Sequence, residues 1–134
     1  MRALVSRLSD AQLGAMVNEY WSAAGVLGHI AFWDGRALYL ARNLQRREPF
    51  TASDNEPEDV DWINDSSRPL IQAIAPRALA DLAVSIAEQT DELIASLPDE
   101  LLAGLDEMSP LNPERANHRG EHLDEIEAAT RPRT

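Results

Sequence analysis

Apolar residues recur at three- and four-residue intervals in four stretches of the chain, and nowhere do they alternate as the residues of a half-buried strand would. Val26, Ile30, Trp33, Ala37, Leu40 and Leu44 form one stripe of a long α-helix reaching to about Arg46. Ser22 stands where a side chain can accept from the free backbone N–H groups of the first turn, and Trp21 before it can pack on Val26. Arg46 and Arg47 suit the negative end of the helix dipole, and Pro49 stops the helix. Leu79, Leu82, Ala83, Ile86, Leu93, Ile94 and Leu97 predict another long helix, with Pro76 at its first position and Pro98 closing it. A shorter helix is expected from about Ser9 to Glu19, where Ser9 and Gln12 make a capping box and Leu8, Leu13, Met16 and Val17 supply the apolar side. The last helix should open at Asn112–Pro113 and carry His118, His122, Leu123 and Ile126.

Between these lie residues 51–75, a polar, loop-rich connection holding one short helical piece, Val60 to Asn64, that breaks before Pro69. A turn of helix is expected over Glu100 to Leu105, and residues 129–134 read as a frayed tail. The pattern predicts a single all-α domain over residues 1–134, most simply an antiparallel bundle.

Charge narrows the function. Twenty-three acidic residues against twelve basic ones give a net charge of −11, and all twelve basic residues are Arg. A field of this sign repels phosphate backbones, so no nucleic-acid partner is expected. No run of apolar residues is long enough to span a membrane, and no signal-peptide pattern opens the chain, so the expected location is cytoplasmic. There is no Cys, which removes disulfides, thiolate metal sites and a protein-borne thiol nucleophile.

The remaining chemistry lies with three histidines. His118 and His122 are four apart on the predicted last helix, so both imidazoles share one face; they are either a solvated pair or two ligands of one divalent metal. His29 falls at the edge of the apolar stripe of the long helix, either as a buried, hydrogen-bonded histidine or as a third ligand. Three histidines would leave open coordination positions, the pattern of a catalytic site. Gly28 would let a neighbouring helix or ligand come close. Asp34, Asn64, Glu121, Asp124 and Glu125 are candidates to orient the imidazoles from behind, and Trp33 and Trp62 are candidates to wall a cofactor or substrate pocket.

Three motifs in order carry a family resemblance. Trp21-Ser22, Leu27, His29-Ile30 and Trp33 match the first; Asp61-Trp62-Ile63-Asn64 matches a mid-chain Asp-x-x-Asn element; His118-x-x-x-His122-Leu123 with Ile126 matches the last. Over about residues 4 to 128 the chain resembles the DinB-like, YfiT-like superfamily of four-helix-bundle metalloenzymes, which includes mycothiol-dependent maleylpyruvate isomerase N-terminal domains and the ClbS/DfsB group. The resemblance implies a divalent metal, zinc or nickel, on His29, His118 and His122. It implies a thiol-dependent S-transferase or isomerase that acts on small electrophiles with mycothiol or bacillithiol. A metal-bound thiolate or water would be the reactive group, with no catalytic side chain assigned. A metal-dependent hydrolase, or a non-catalytic ClbS-like bundle that binds a small molecule for self-protection, are the alternatives. Only seven residues precede Leu8, where the family usually has a full first helix. The expectation is therefore a bundle with a shortened or missing first helix, from a misassigned start or a truncation, or one whose exposed groove a homodimer partner covers.

Overall fold

The computed structural model describes residues 1–133 and is all-helical over them, with one isolated backbone bridge, Met16 to Ser22, and no strand. The elements are α1 (Arg2–Arg7), α2 (Asp10–Leu13), α3 (Ala23–Gln45), α4 (Asp61–Gln72), α5 (Pro76–Ser96), α6 (Asp99–Ala103) and α7 (Arg115–Thr130). Four are long: α3, α4, α5 and α7. The expected shortened first helix is the six-residue α1, whose Leu4 and Val5 are buried.

The stripe on α3 does what its spacing predicts. Val26, Ile30, Trp33, Ala37 and Leu40 are buried and Leu44 is half-buried, and α3 packs chiefly on α5 through Leu79, Ala80 and Ala83. The Ser22 hydroxyl accepts from Gly25 N–H at 3.0 Å. A Cβ at Gly28 would stand 2.5 Å from Ile71 Cγ2 and 2.9 Å from both Leu79 methyls. The absent side chain lets α4 and α5 come against α3 one residue before His29. The C-terminus of α3 closes by a Schellman pair, Glu48 N–H to Asn43 C=O at 3.0 Å and Arg47 N–H to Leu44 C=O at 2.9 Å. Arg47 takes the left-handed position, φ 57°, that glycine usually fills.

Several boundaries differ from expectation. The Ser9–Gln12 capping box forms, but the helix it opens ends at Leu13 instead of about Glu19. Beyond Gly14 the chain doubles back: the Asn18 side chain accepts from the N–H groups of Tyr20 and Trp21, and Ala23 N–H reaches Ala15 C=O at 2.8 Å. These local bonds supply what a continued helix would have supplied. Within the expected loop-rich connection, α4 is a twelve-residue helix that runs through Pro69. It survives the lost donor because its Ile71 side enters the core and its C-terminal end is pinned by Gln72 Nε2 donating to Tyr20 C=O. The last helix opens at Arg115, two residues after Pro113, because Asn112 Oδ1 caps a tight turn at Glu114 N–H instead of a helix. Its end is not frayed at residues 129 and 130: Thr130 is buried and its C=O accepts from Gln12 Nε2 at 3.0 Å. Thr134 lies outside the described residues.

Candidate metal centre

Helices α3 and α7 bring the three histidines together. Their ring centroids stand 4.9 Å (His29–His122), 5.2 Å (His118–His122) and 5.8 Å (His29–His118) apart. One nitrogen of each can be chosen so that all three lie within 4.8 Å of one another. Ligands about 2.1 Å from a common ion stand roughly 3.4 Å apart, so a small inward movement of the rings completes the set.

Two observations test whether a cation suits this cluster. Nδ1 of His118 is buried and has no hydrogen-bond partner. A buried imidazole nitrogen rarely goes without a partner, and a metal would supply it. Burial also pushes the His29 pKa down to about 4, aided by His122 and His118 beside it. Burial does the same to His118, also to about 4, with the Arg115 charge next in weight and Asp34 opposing. Both rings are thus neutral at pH 7, the form that donates a lone pair to a metal. The residues present fit a divalent cation.

The surroundings sort the remaining candidates. Glu125 Oε2 lies 3.4 Å from His122 Nδ1, the one contact to the histidines that the carboxylate candidates make among the described residues. Glu121 and Asp124 make no hydrogen bond to the histidines among the described residues and stay at the surface. Asp34 has a different role from the one expected of it. It is wholly buried and takes Arg119 Nε at 2.7 Å and Arg115 Nε at 3.0 Å, while Arg119 Nη1 reaches Asp91 at 2.8 Å. Arg115 and Arg119 flank His118 on α7, so this pairing sets the height of α7 against α3. Asn64 accepts from Trp33 Nε1 at 3.0 Å and lines a cavity of about 260 Å³ beside His29 and His122.

Neither tryptophan candidate walls that cavity. Trp33 is buried in the body of the bundle, tied to Asn64, and Trp62 is 61 % exposed, on the solvent side of α4. The aromatic wall is Trp21, whose ring lies 6.0 Å from His29 and against Gly25, with Asn18 beside it. Asn18, Arg115 and Arg119 were not singled out by spacing. A carboxylate at position 34, between Ile30 and Ala37 on the buried stripe, was the available sign that cationic partners had to exist.

The DinB superfamily model matches residues 1–126, and the chain belongs to that superfamily. No curated protein and no solved structure shows significant similarity to it. Members of this class are often metal-binding, and the three histidines can hold one ion. No helix among the described residues is long and apolar enough to cross a membrane.

Proposed function

We propose that the protein is a divalent-metal-dependent enzyme, with zinc or nickel on His29, His118 and His122, that joins a low-molecular-weight thiol of the mycothiol or bacillithiol type to a small electrophile. The observation that carries this reading is the convergence of three imidazoles from two helices, with His118 Nδ1 buried and unpartnered among them. A bound cation supplies Lewis acidity, lowering the pKa of a thiol so that it reacts as thiolate at neutral pH. The absence of Cys supports the rest: with no thiol of its own, the chain must take one from outside.

The protein's own residues then have defined tasks. Glu125 keeps a proton on His122 Nδ1 and leaves Nε2 as the lone-pair nitrogen. Trp21 and Val26 offer an apolar wall to the organic part of a ligand, and Asn18 and Asn64 offer amides at its edge. In the reaction the thiol loses its proton to solvent and the sulfur bonds to the electrophilic carbon. In a transfer, the leaving group departs with the bonding pair and takes up a proton. The enzyme would act in the cytoplasm, as a monomer or a homodimer.

Metal analysis and turnover test this together. The purified protein should bind one zinc or nickel ion per chain. His122→Ala should weaken binding beyond the ~10–100-fold that loss of an outer partner costs. Metal-loaded protein should conjugate 1-chloro-2,4-dinitrobenzene with mycothiol or bacillithiol, and stripped protein should not. Unchanged metal content in His122→Ala would refute the site. Conjugation by the stripped protein, or ester hydrolysis without any thiol, would refute the thiol-transfer reading.

A further inference from the structure

The histidine cluster borders two cavities that share no lining residue. The smaller holds His29 and His122. The other, about 610 Å³, holds His118 together with Arg36, Arg115, Glu107, Ser109 and Asn112. Its two guanidinium groups are differently engaged. Arg36 is a strut: it donates to Pro110 C=O at 3.1 Å and Asp54 C=O at 2.6 Å and faces Glu56 at 3.5 Å. Arg115 gives only its Nε–H, to Asp34. Neither of its Nη atoms bonds to any other described residue, and neither is sealed from solvent, since His118 Nδ1 is the buried side-chain atom left unpartnered. The Arg115 side chain is nevertheless only 11 % exposed.

A guanidinium held by its Nε in the lining of a cavity, with neither Nη group hydrogen-bonded, has free the fork that carboxylates accept in bidentate fashion. A net charge of −11 gives no general attraction for anions, so affinity for one would have to come from this local geometry. His118 lies one turn along α7 from Arg115, about 4.5 Å of rise. A carboxylate seated on Arg115 therefore places the rest of a small molecule beside the histidines. Arg36 and Arg115 also repel each other across the cavity, and an anion between them offsets that repulsion.

We propose that this cavity is a carboxylate subsite, in which Arg115 takes the carboxylate of a small organic acid and presents its other end to the histidine cluster. The role of that other end rests on the metal-centre reading above; carboxylate binding does not. Glu56 and Glu107 also line the cavity and weaken the site, and Asn112 lies where a negative charge would oppose the ligand.

Calorimetric titration of the full-length, metal-free protein with succinate tests the subsite, with the neutral diamide of succinic acid as control. Succinate should bind and the diamide should not. Asn112→Asp keeps the acceptor for Glu114 N–H and should weaken succinate about 5-fold. Glu107→Gln should tighten it about 2-fold. Neither change touches the Asp34 pair, so both variants should melt as the parent does. Arg115→Lys, which keeps the charge and loses the fork, should weaken binding about 10-fold. No succinate binding, equal binding of the diamide, or affinities indifferent to both Asn112→Asp and Glu107→Gln would overturn the proposal. Repeating the titration on zinc-loaded protein with 3-mercaptopropionate identifies the source: a gain over succinate assigns the carboxylate to the thiol, parity to the electrophile. Succinate binding without metal binding would sink the metal centre alone, and the converse would sink only the subsite.

Discussion

Replacing Asp34 by Asn removes one negative charge from a wholly buried position and keeps the shape of the side chain. Its two oxygens accept from Arg119 Nε at 2.7 Å and Arg115 Nε at 3.0 Å, and an amide can accept on only one side. Breaking a buried ion pair by neutralising one partner costs about 3–5 kcal/mol, because the remaining charge stays desolvated. Here the lower end applies: Arg119 keeps Asp91 at 2.8 Å, and Arg115 borders an open cavity. With about 2.1 cal/mol/K of unfolding entropy per residue over 134 residues, 1 kcal/mol lowers Tm by roughly 4 °C. The Asp34→Asn variant should therefore melt about 10–12 °C below the parent by circular dichroism. Zinc affinity should fall as well, since α7 loses the pairing that sets His118 and His122 opposite His29. A Tm within about 2 °C of the parent would refute the claim that this pairing fixes α7.

Three further substitutions or conditions follow from the geometry. Gly28→Ala gains about 1 kcal/mol in helix propensity but pushes a methyl to 2.5 Å from Ile71, an overpacking cost of about 1–3 kcal/mol; urea unfolding should show a net loss, and a midpoint at or above the parent's would contradict the close helix approach. Arg47→Gly relieves a left-handed residue and sacrifices only an exposed pair with Glu100, so it should stabilise by about 0.5–1 kcal/mol in the same assay. His29 and His118 hold pKa values near 4 in the folded metal-free protein against 6.5 unfolded. The unfolded chain thus binds more protons between these values, and stability present above pH 6.5 is lost as pH falls toward 4. Urea midpoints from pH 7.5 to 4 should show this slope, and a His29→Gln/His118→Gln double variant should flatten it; equal slopes would count against buried neutral rings.

The long helices were legible because their burial is a one-dimensional property: Ile30, Ala37 and Leu40 on α3 and Leu79 and Ala83 on α5 repeat at the helix period and enter the core. Pro76 and Ser22 marked true starts for the same local reason. The histidine cluster was legible through the spacing of His118 and His122 and the family motif around His29. What spacing missed was set by distant partners. Nothing near Pro69 in sequence announces that Gln72 will be held by Tyr20, and so α4 was expected to end early. Asp34 looked available to the imidazoles, because the two arginines that claim it lie 81 and 85 residues away. Trp21, Trp33 and Trp62 all belong to the motifs, yet only Trp21 lines the cavity, brought in by the turn at Asn18.

Helix α7 carries two of the three histidines but contributes little apolar anchorage. Of its sixteen residues only Arg119, Ile126 and Thr130 are buried, whereas fifteen residues of α3 are. Its remaining ties are polar: Asp34 and Asp91 at one end, and Arg7 to Glu127 and Gln12 to Thr130 at the other. Local opening energy follows buried apolar contact, so the amide hydrogens of α7 exchange with solvent more readily than those of α3 or α5. Added salt should speed that exchange through the exposed pairs, and an ion held by His29, His118 and His122 should slow it. Residence of the cation and closure of the helix are then one equilibrium, and the time the site stays open is the time α7 spends away from α3.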